Sequence, residues 1–256
     1  MVTFQLQIYL HTANFGILPN HGGLTMRTKQ LPRRIIQYLI GLVCMAIGLV
    51  LLKITHWGVS PITALPDAVA NITPLTLGNA TIALHLLCVV LQIIVQKRVT
   101  LKSVLCMCVG VPFGYLVDFF LWVWVTLFPE LVLWQKVLAL VVGIAIQGFG
   151  VALISGCDLM LPAPDELNNV IANTYHKQLS NVKMIADAIY VALALVINLI
   201  SIALGLMTFR QISVWINSIA SVLLTGRFVG LSRKLFPNIV MAPFFETPAE
   251  KSKASE

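Results

Sequence analysis

The sequence predicts an all-α membrane protein with six transmembrane helices, arranged as two inverted three-helix repeats that carry Pro-containing broken segments. Three observations predict it. Of 256 residues, 58% are hydrophobic and 11% charged, and the mean hydropathy is +0.90; soluble domains carry about 25% charged residues. The apolar residues come in long blocks, each near or above the roughly 18–20 residues that cross a bilayer. Laid on itself with a shift of 102 residues, the sequence matches at Gly and Asn positions as well as at apolar ones.

Residues 1–33 read as an N-terminal tail. No basic segment followed by an apolar one occurs there, so a cleaved signal peptide is not expected. Met26 opens a stretch, Met-Arg-Thr-Lys-Gln-Leu-Pro-Arg-Arg, with the character of a cytoplasmic start before a first helix. In a bacterial gene the codons of Gly22-Gly23 would read as a ribosome-binding site. Two readings stand: translation begins at Met26, or residues 1–25 are a short ordinary tail.

The first repeat, 34–128, holds spans over Ile35–Thr55, Asn79–Val95 and Leu101–Phe128. Pro129-Glu130 makes the turn into the second repeat, 134–236. Its spans cover Trp134–Ile154, Asn181–Met207 and Ile212–Leu231. A Pro-containing polar segment follows the first span of each repeat, Ser60–Gly78 and Ser155–Ser180. Residues 237–256 form a polar C-terminal tail.

The net charge of +7 does not point to nucleic acid. Basic residues sit at the ends of apolar blocks rather than in a stripe with aromatics. Fourteen of the 17 fall in the N-terminus, the loops after spans two and four, and the C-terminus. The other side receives Lys53, Lys136 and Arg210. Cationic loops stay in the cytoplasm, so both termini are expected there, with an even number of spans. Trp57, Trp122, Trp124 and Trp134 suit an interfacial belt on one side.

Under the 102-residue shift Gly41 meets Gly143, Gly48 meets Gly150, Leu65 meets Leu167, Asn71 meets Asn173 and Asn79 meets Asn181, within ten identities over residues 37–93. Beyond that the register changes, and Gly110-Val-Pro-Phe-Gly114 matches Gly226-Arg-Phe-Val-Gly230. Three spans per repeat make the second copy enter from the opposite side, an architecture common among secondary transporters. The four paired glycines read as packing residues.

Transporter sites lie where broken segments of the two halves meet. Pro66-Asp67 to Asn71 resembles Pro164-Asp165 to Asn169, a local match needing a shift of 98, so two registers compete. Pro favours the first helical turn and Asp there complements the dipole. Each segment therefore reads as an extended piece followed by a short helix. Pro61, Thr63, Asp67, Asp165, Glu166 and Asn169 are the candidate substrate-binding residues. Ionisable residues inside spans are costly in lipid and mark function by default. That makes His85, Asp118 and Asp187 candidate proton or ion carriers, although Asp187 could instead pair with Lys183. Neither a cofactor nor a metal is expected: Cys106-x-Cys108 lacks ligand partners at metal spacing, and the five cysteines imply no disulfide framework.

The pattern resembles the bacterial YczE/YitT-type family of integral membrane proteins over about residues 33–236. The resemblance rests on Gly41, Gly48, Gly58-Val-Ser-Pro61 with Leu65, Asn79, Gly110 to Asp118, Pro164-Asp165-Glu166-Leu167, and Asp187. That family often carries an acidic residue two places after the first Pro, where this chain has Thr63. The resemblance implies a bacterial plasma membrane and no settled activity.

The leading expectation is a small secondary transporter for an unknown small molecule or ion. The alternative is a membrane protein that assists or regulates a protein partner; a homo-oligomer suits either. An intramembrane enzyme is least favoured, because His-Glu-x-x-His and Gly-x-Ser-x-Gly motifs are both missing. If translation begins at Met26, intact-mass measurement of native protein will show a chain starting there; a native N-terminus at Met1 refutes it.

Overall fold

The computed structural model describes residues 31–127, 131–157, 159–207 and 212–240. The Met26 start, the Pro129-Glu130 turn and the tail beyond 240 lie outside them. The described residues form α1 (Leu31–Lys53), α2 (Pro61–Ala70), α3 (Leu77–Gln96), α4 (Leu101–Leu127), α5 (Leu133–Gly156), α6 (Ala163–Thr174), α7 (Leu179–Ala203), α8 (Ile216–Leu235) and α9 (Pro237–Val240). Five helices are long and apolar enough to cross a membrane: α1, α3, α4, α5 and α7. Many of their large apolar side chains face outward, among them Leu87, Ile94, Trp122, Leu138 and Leu199. A bilayer, rather than water, is the solvent such a surface matches.

The sixth expected span corresponds to α8, which is not among those five. Its composition explains why. Asn217, Ser218, Ser221 and Ser232 are buried on its inner face, and Arg233 and Lys234 occupy its last turn. The polar groups tie α8 into the bundle at both ends. Asn217 Nδ2 donates to the Leu52 carbonyl at 2.9 Å, to Thr55 Oγ1 at 2.8 Å and to the Gly58 carbonyl at 2.7 Å. At the other end Arg233 Nη2 donates to Ser155 Oγ at 2.9 Å, and Gln37 Nε2 donates to the Val240 carbonyl at 3.0 Å. Helix α8 thus begins beside the end of α1 and finishes beside its start.

The central contact is α1 against α5, running antiparallel. Gly41 lies against Gly150, and Gly48 against Gly143. A Cβ on Gly48 would sit 2.7 Å from the Gly143 carbonyl oxygen, and one on Gly150 would sit 2.7 Å from that of Gly41. Glycine lets these backbones touch, and dispersion between them takes the place of the hydrophobic drive that lipid cannot supply. Helices α3 and α4 approach in the same way at Gly78 and Gly114.

The two short helices are buried in this frame. Extended backbone at Ser60 and at Pro162 leads into α2 and α6, each with Pro at its first or second position. Short helix α2 packs on α7, and α6 packs on α3. Helix α4 packs closely on α3, whereas among the described residues α8 makes little contact with α7. Helices α1, α2 and α3 begin at 31, 61 and 77, and α5, α6 and α7 at 133, 163 and 179. Each start is displaced by 102 residues. The competing shift of 98 is not followed: Pro66 lies in the second turn of α2, Pro164 in the first turn of α6.

Replacing Gly48 with Leu should destabilise the protein by about 3 kcal/mol, the upper range for overpacking. Gly230→Ala, with nothing within 4 Å of the added Cβ, should be tolerated. Thermal unfolding of the two purified variants against wild type checks the contrast.

Candidate functional site

A cavity of about 290 Å³ opens between α1, α2, α3, α4, α5, α6, α7 and α8. Met45, Leu49, Ser60, Ile62, Thr63, Thr81 and His85 line it from the first half. From the second half come Gln147, Val151, Pro162, Pro164, Asp165, Lys183 and Asp187. Taken in order, each residue of the second set is 102 positions after one of the first. Thr63, Thr81 and His85 therefore correspond to Asp165, Lys183 and Asp187. The halves supply matching positions with different chemistry, one set largely uncharged and the other ionic.

Local structure explains how each group is placed. Thr63 Oγ1 is held to the start of α2, 2.8 Å from Ser60 Oγ and donating to the Ser60 carbonyl at 3.0 Å. Pro66 has no N–H, so the Ile62 carbonyl lacks its usual donor one turn on. Asp165 lies in the first turn of α6, where its charge complements the dipole. Lys183 Nζ pairs with Asp165 Oδ1 and ties α7 to α6. One turn after Lys183, Asp187 enters the cavity with Oδ1 buried and without a hydrogen-bond partner. The His85 ring stacks on Phe113 with centroids 5.6 Å apart, and its Nδ1 is likewise unpartnered. Gln147 Oε1 and Ser221 Oγ complete four buried polar atoms without a hydrogen-bond partner. Such an atom costs about 1–3 kcal/mol when nothing meets it; His85 Nδ1 lies toward Gly110 of α4, and the other three belong to residues that line the cavity.

Of the residues singled out from the sequence, Pro61, Thr63, Asp165, His85 and Asp187 line this cavity. Asp67, Glu166, Asn169 and Asp118 do not. Asp67 pairs with Lys53 Nζ at 2.6 Å, and Lys53 also donates to Asn71 Oδ1 at 3.1 Å, fastening α2 to the end of α1. Glu166 is buried, its Oε2 accepting from the Leu161 N–H at 3.4 Å. Asn169 Oδ1 accepts from Asn173 Nδ2 at 3.2 Å. Asp118 accepts from Thr76 Oγ1 at 2.6 Å and from the Gly78 N–H at 2.7 Å, capping α3 from the neighbouring helix. Sequence reasoning missed Thr81, Gln147, Ser221 and Arg227, and took Lys183 only as a partner for Asp187. The 102-residue shift carried the missing signal for two of them, since Thr81 and Gln147 correspond to Lys183 and Met45. Among the described residues, no three His, Cys, Asp or Glu side chains gather into a metal site.

Asp67→Asn should cost about 3 kcal/mol, because it leaves Lys53 facing a buried site without its counter-charge. Asp118→Ala should cost about 1 kcal/mol as a lost helix cap. Urea or thermal unfolding reads both, and equal losses would contradict the two assignments.

Comparison with known proteins finds one family. Residues 32–234 match the model described as "Family of unknown function (DUF6198)". No curated protein and no solved structure matches the chain. With a match spanning α1 to α8, the chain belongs to the DUF6198 family of unknown function.

Proposed function

We propose that the protein is a small secondary transporter that binds its solute in the cavity between the two short helices. The observation that carries this reading is the cavity lining: matching positions from the two halves of the chain face one space. Transporters built from inverted repeats place their sites in this way, at the junction of broken segments.

The same proposal includes α8 as a sixth crossing and a two-fold relation between the halves. Exchanging the halves turns the Gly41–Gly150 contact into Gly143–Gly48, which is also present. It also turns Cys88 into Tyr190, and these two side chains meet at 3.6 Å. Equivalent residues in mutual contact lie on a two-fold axis. Because α1 and α5 are antiparallel, that axis runs across the helices, in the plane of the membrane. The charge bias then sets both termini in the cytoplasm. Trp57, Trp122, Trp124, Trp134 and Trp215 would all lie toward the outer surface. Location in a bacterial plasma membrane and kinship with YczE/YitT-type proteins belong to the same proposal and rest on the sequence motifs alone.

A thermal-shift screen of ions, amino acids, nucleobases, vitamins and organic acids on the purified protein tests the reading. A ligand at about 100 times its dissociation constant should add roughly 2.7 kcal/mol of apparent stability, and Asp165→Asn should weaken that response. A screen with no stabilising solute would favour the reading in which the chain assists a protein partner.

A further inference from the structure

The lining of the cavity distinguishes between classes of solute. An anion would be drawn by helix N-termini, but at α6 that role is filled from within the chain. Asp165 and Glu166 occupy its first turn. Lys183 pairs with Asp165. Arg227 reaches the cavity with an exposed side chain. Deeper in, the buried atoms without partners are weighted toward acceptors. Asp187 Oδ1 and Gln147 Oε1 accept only, and the Ser221 hydroxyl accepts or donates. A carboxylate oxygen buried without a partner calls for a positive charge.

The remaining wall is apolar, and so is the way in. Phe113 lines the cavity deep in the bundle. Among the described residues, helices α7 and α8 make little contact with each other. Beside that gap Val222 and Leu223 line the cavity while 60% and 53% exposed. They lie in the middle of α8, so the cleft faces the depth occupied by lipid chains rather than the aqueous ends of the bundle.

We propose that this cavity takes a hydrophobic ammonium cation, its N–H donors on Asp187 and Gln147 and its apolar body against Phe113 and the α7–α8 cleft. This rests on the cavity being the solute site of a transporter. It adds the sign of the charge and the apolar character of the rest.

The test is binding of three solutes of similar shape to the full chain in lipid nanodiscs: phenethylammonium, phenethyl alcohol and phenylacetate. Calorimetry should show the ammonium binding about tenfold or more tighter than the alcohol, the range for a hydrogen bond to a charged group. Phenylacetate should bind weakest. Asp187→Asn should bring the ammonium down to the level of the alcohol. Phenylacetate binding as tightly as the ammonium, or equal binding of all three, would overturn the proposal on the wild-type protein alone, whether or not the variant folds. Ammonium binding without uptake into proteoliposomes would remove the transporter reading and leave this one standing. Uptake of a carboxylate, with no preference for the ammonium, would do the reverse.

Discussion

The distance between α1 and α5 is set by backbone touching backbone. With Gly41 on Gly150 and Gly48 on Gly143, the carbonyl oxygens of one helix sit where the Cβ atoms of the other would be. Everything beyond this crossing is arranged about it. The short helices α2 and α6 follow α1 and α5, and each reaches over to the long helix of the other half. Gln37 from the start of α1 donates to the Leu153 carbonyl near the end of α5 at 3.1 Å, so the two helices are held at one end as well as at their glycines.

That exchange of short helices gives the protein its interior. In a bundle of long helices alone, apolar faces would close on each other, as small residues allow. Here the starts of α2 and α6 bring helix ends, prolines and ionic groups into the interior of the bundle. Non-helical backbone at membrane depth is tolerated where protein or a cavity surrounds it, and Ser60 and Pro162 both lie at the cavity wall. Symmetry of position and asymmetry of chemistry then act together. The set Thr63, Thr81 and His85 faces the ionic set, Asp165, Lys183 and Asp187. The packing is asymmetric too, since α4 packs on α3 far more extensively than the described residues of α8 do on α7.

The long apolar helices were legible because lipid imposes a length and a composition that few other settings demand. Leu101 was placed at the start of its helix, and the other apolar spans lay within a few residues of α1, α3, α5 and α7. Where polarity is satisfied inside the protein, hydropathy loses its force. Helix α8 carries Asn217 and Ser218, whose bonds to the backbone near α2 become visible only once the chain is folded. Asp118 illustrates a second limit. A carboxylate inside a span signals expense, but not whether a helix cap or a ligand meets it; Thr76 and Gly78 meet it here, 40 or more residues away in sequence. Asp165 is visible in the sequence as a charge in the second Pro-containing segment, and Asp187 as a charge inside the fifth span. Their difference was not, because it depends on Lys183 reaching across to α6 and leaving Asp187 Oδ1 unpartnered.

The central claim is that the halves enter the membrane in opposite directions, so that the loop after α3 and the loop after α7 lie on opposite sides. Arg98 and Leu204 are exposed in those two loops. In a background without the five native cysteines, Arg98→Cys and Leu204→Cys report the two sides through a membrane-impermeant maleimide on intact cells. The account predicts that Leu204→Cys is labelled at once and Arg98→Cys only after the membrane is permeabilised. Labelling of both from the same side would contradict it.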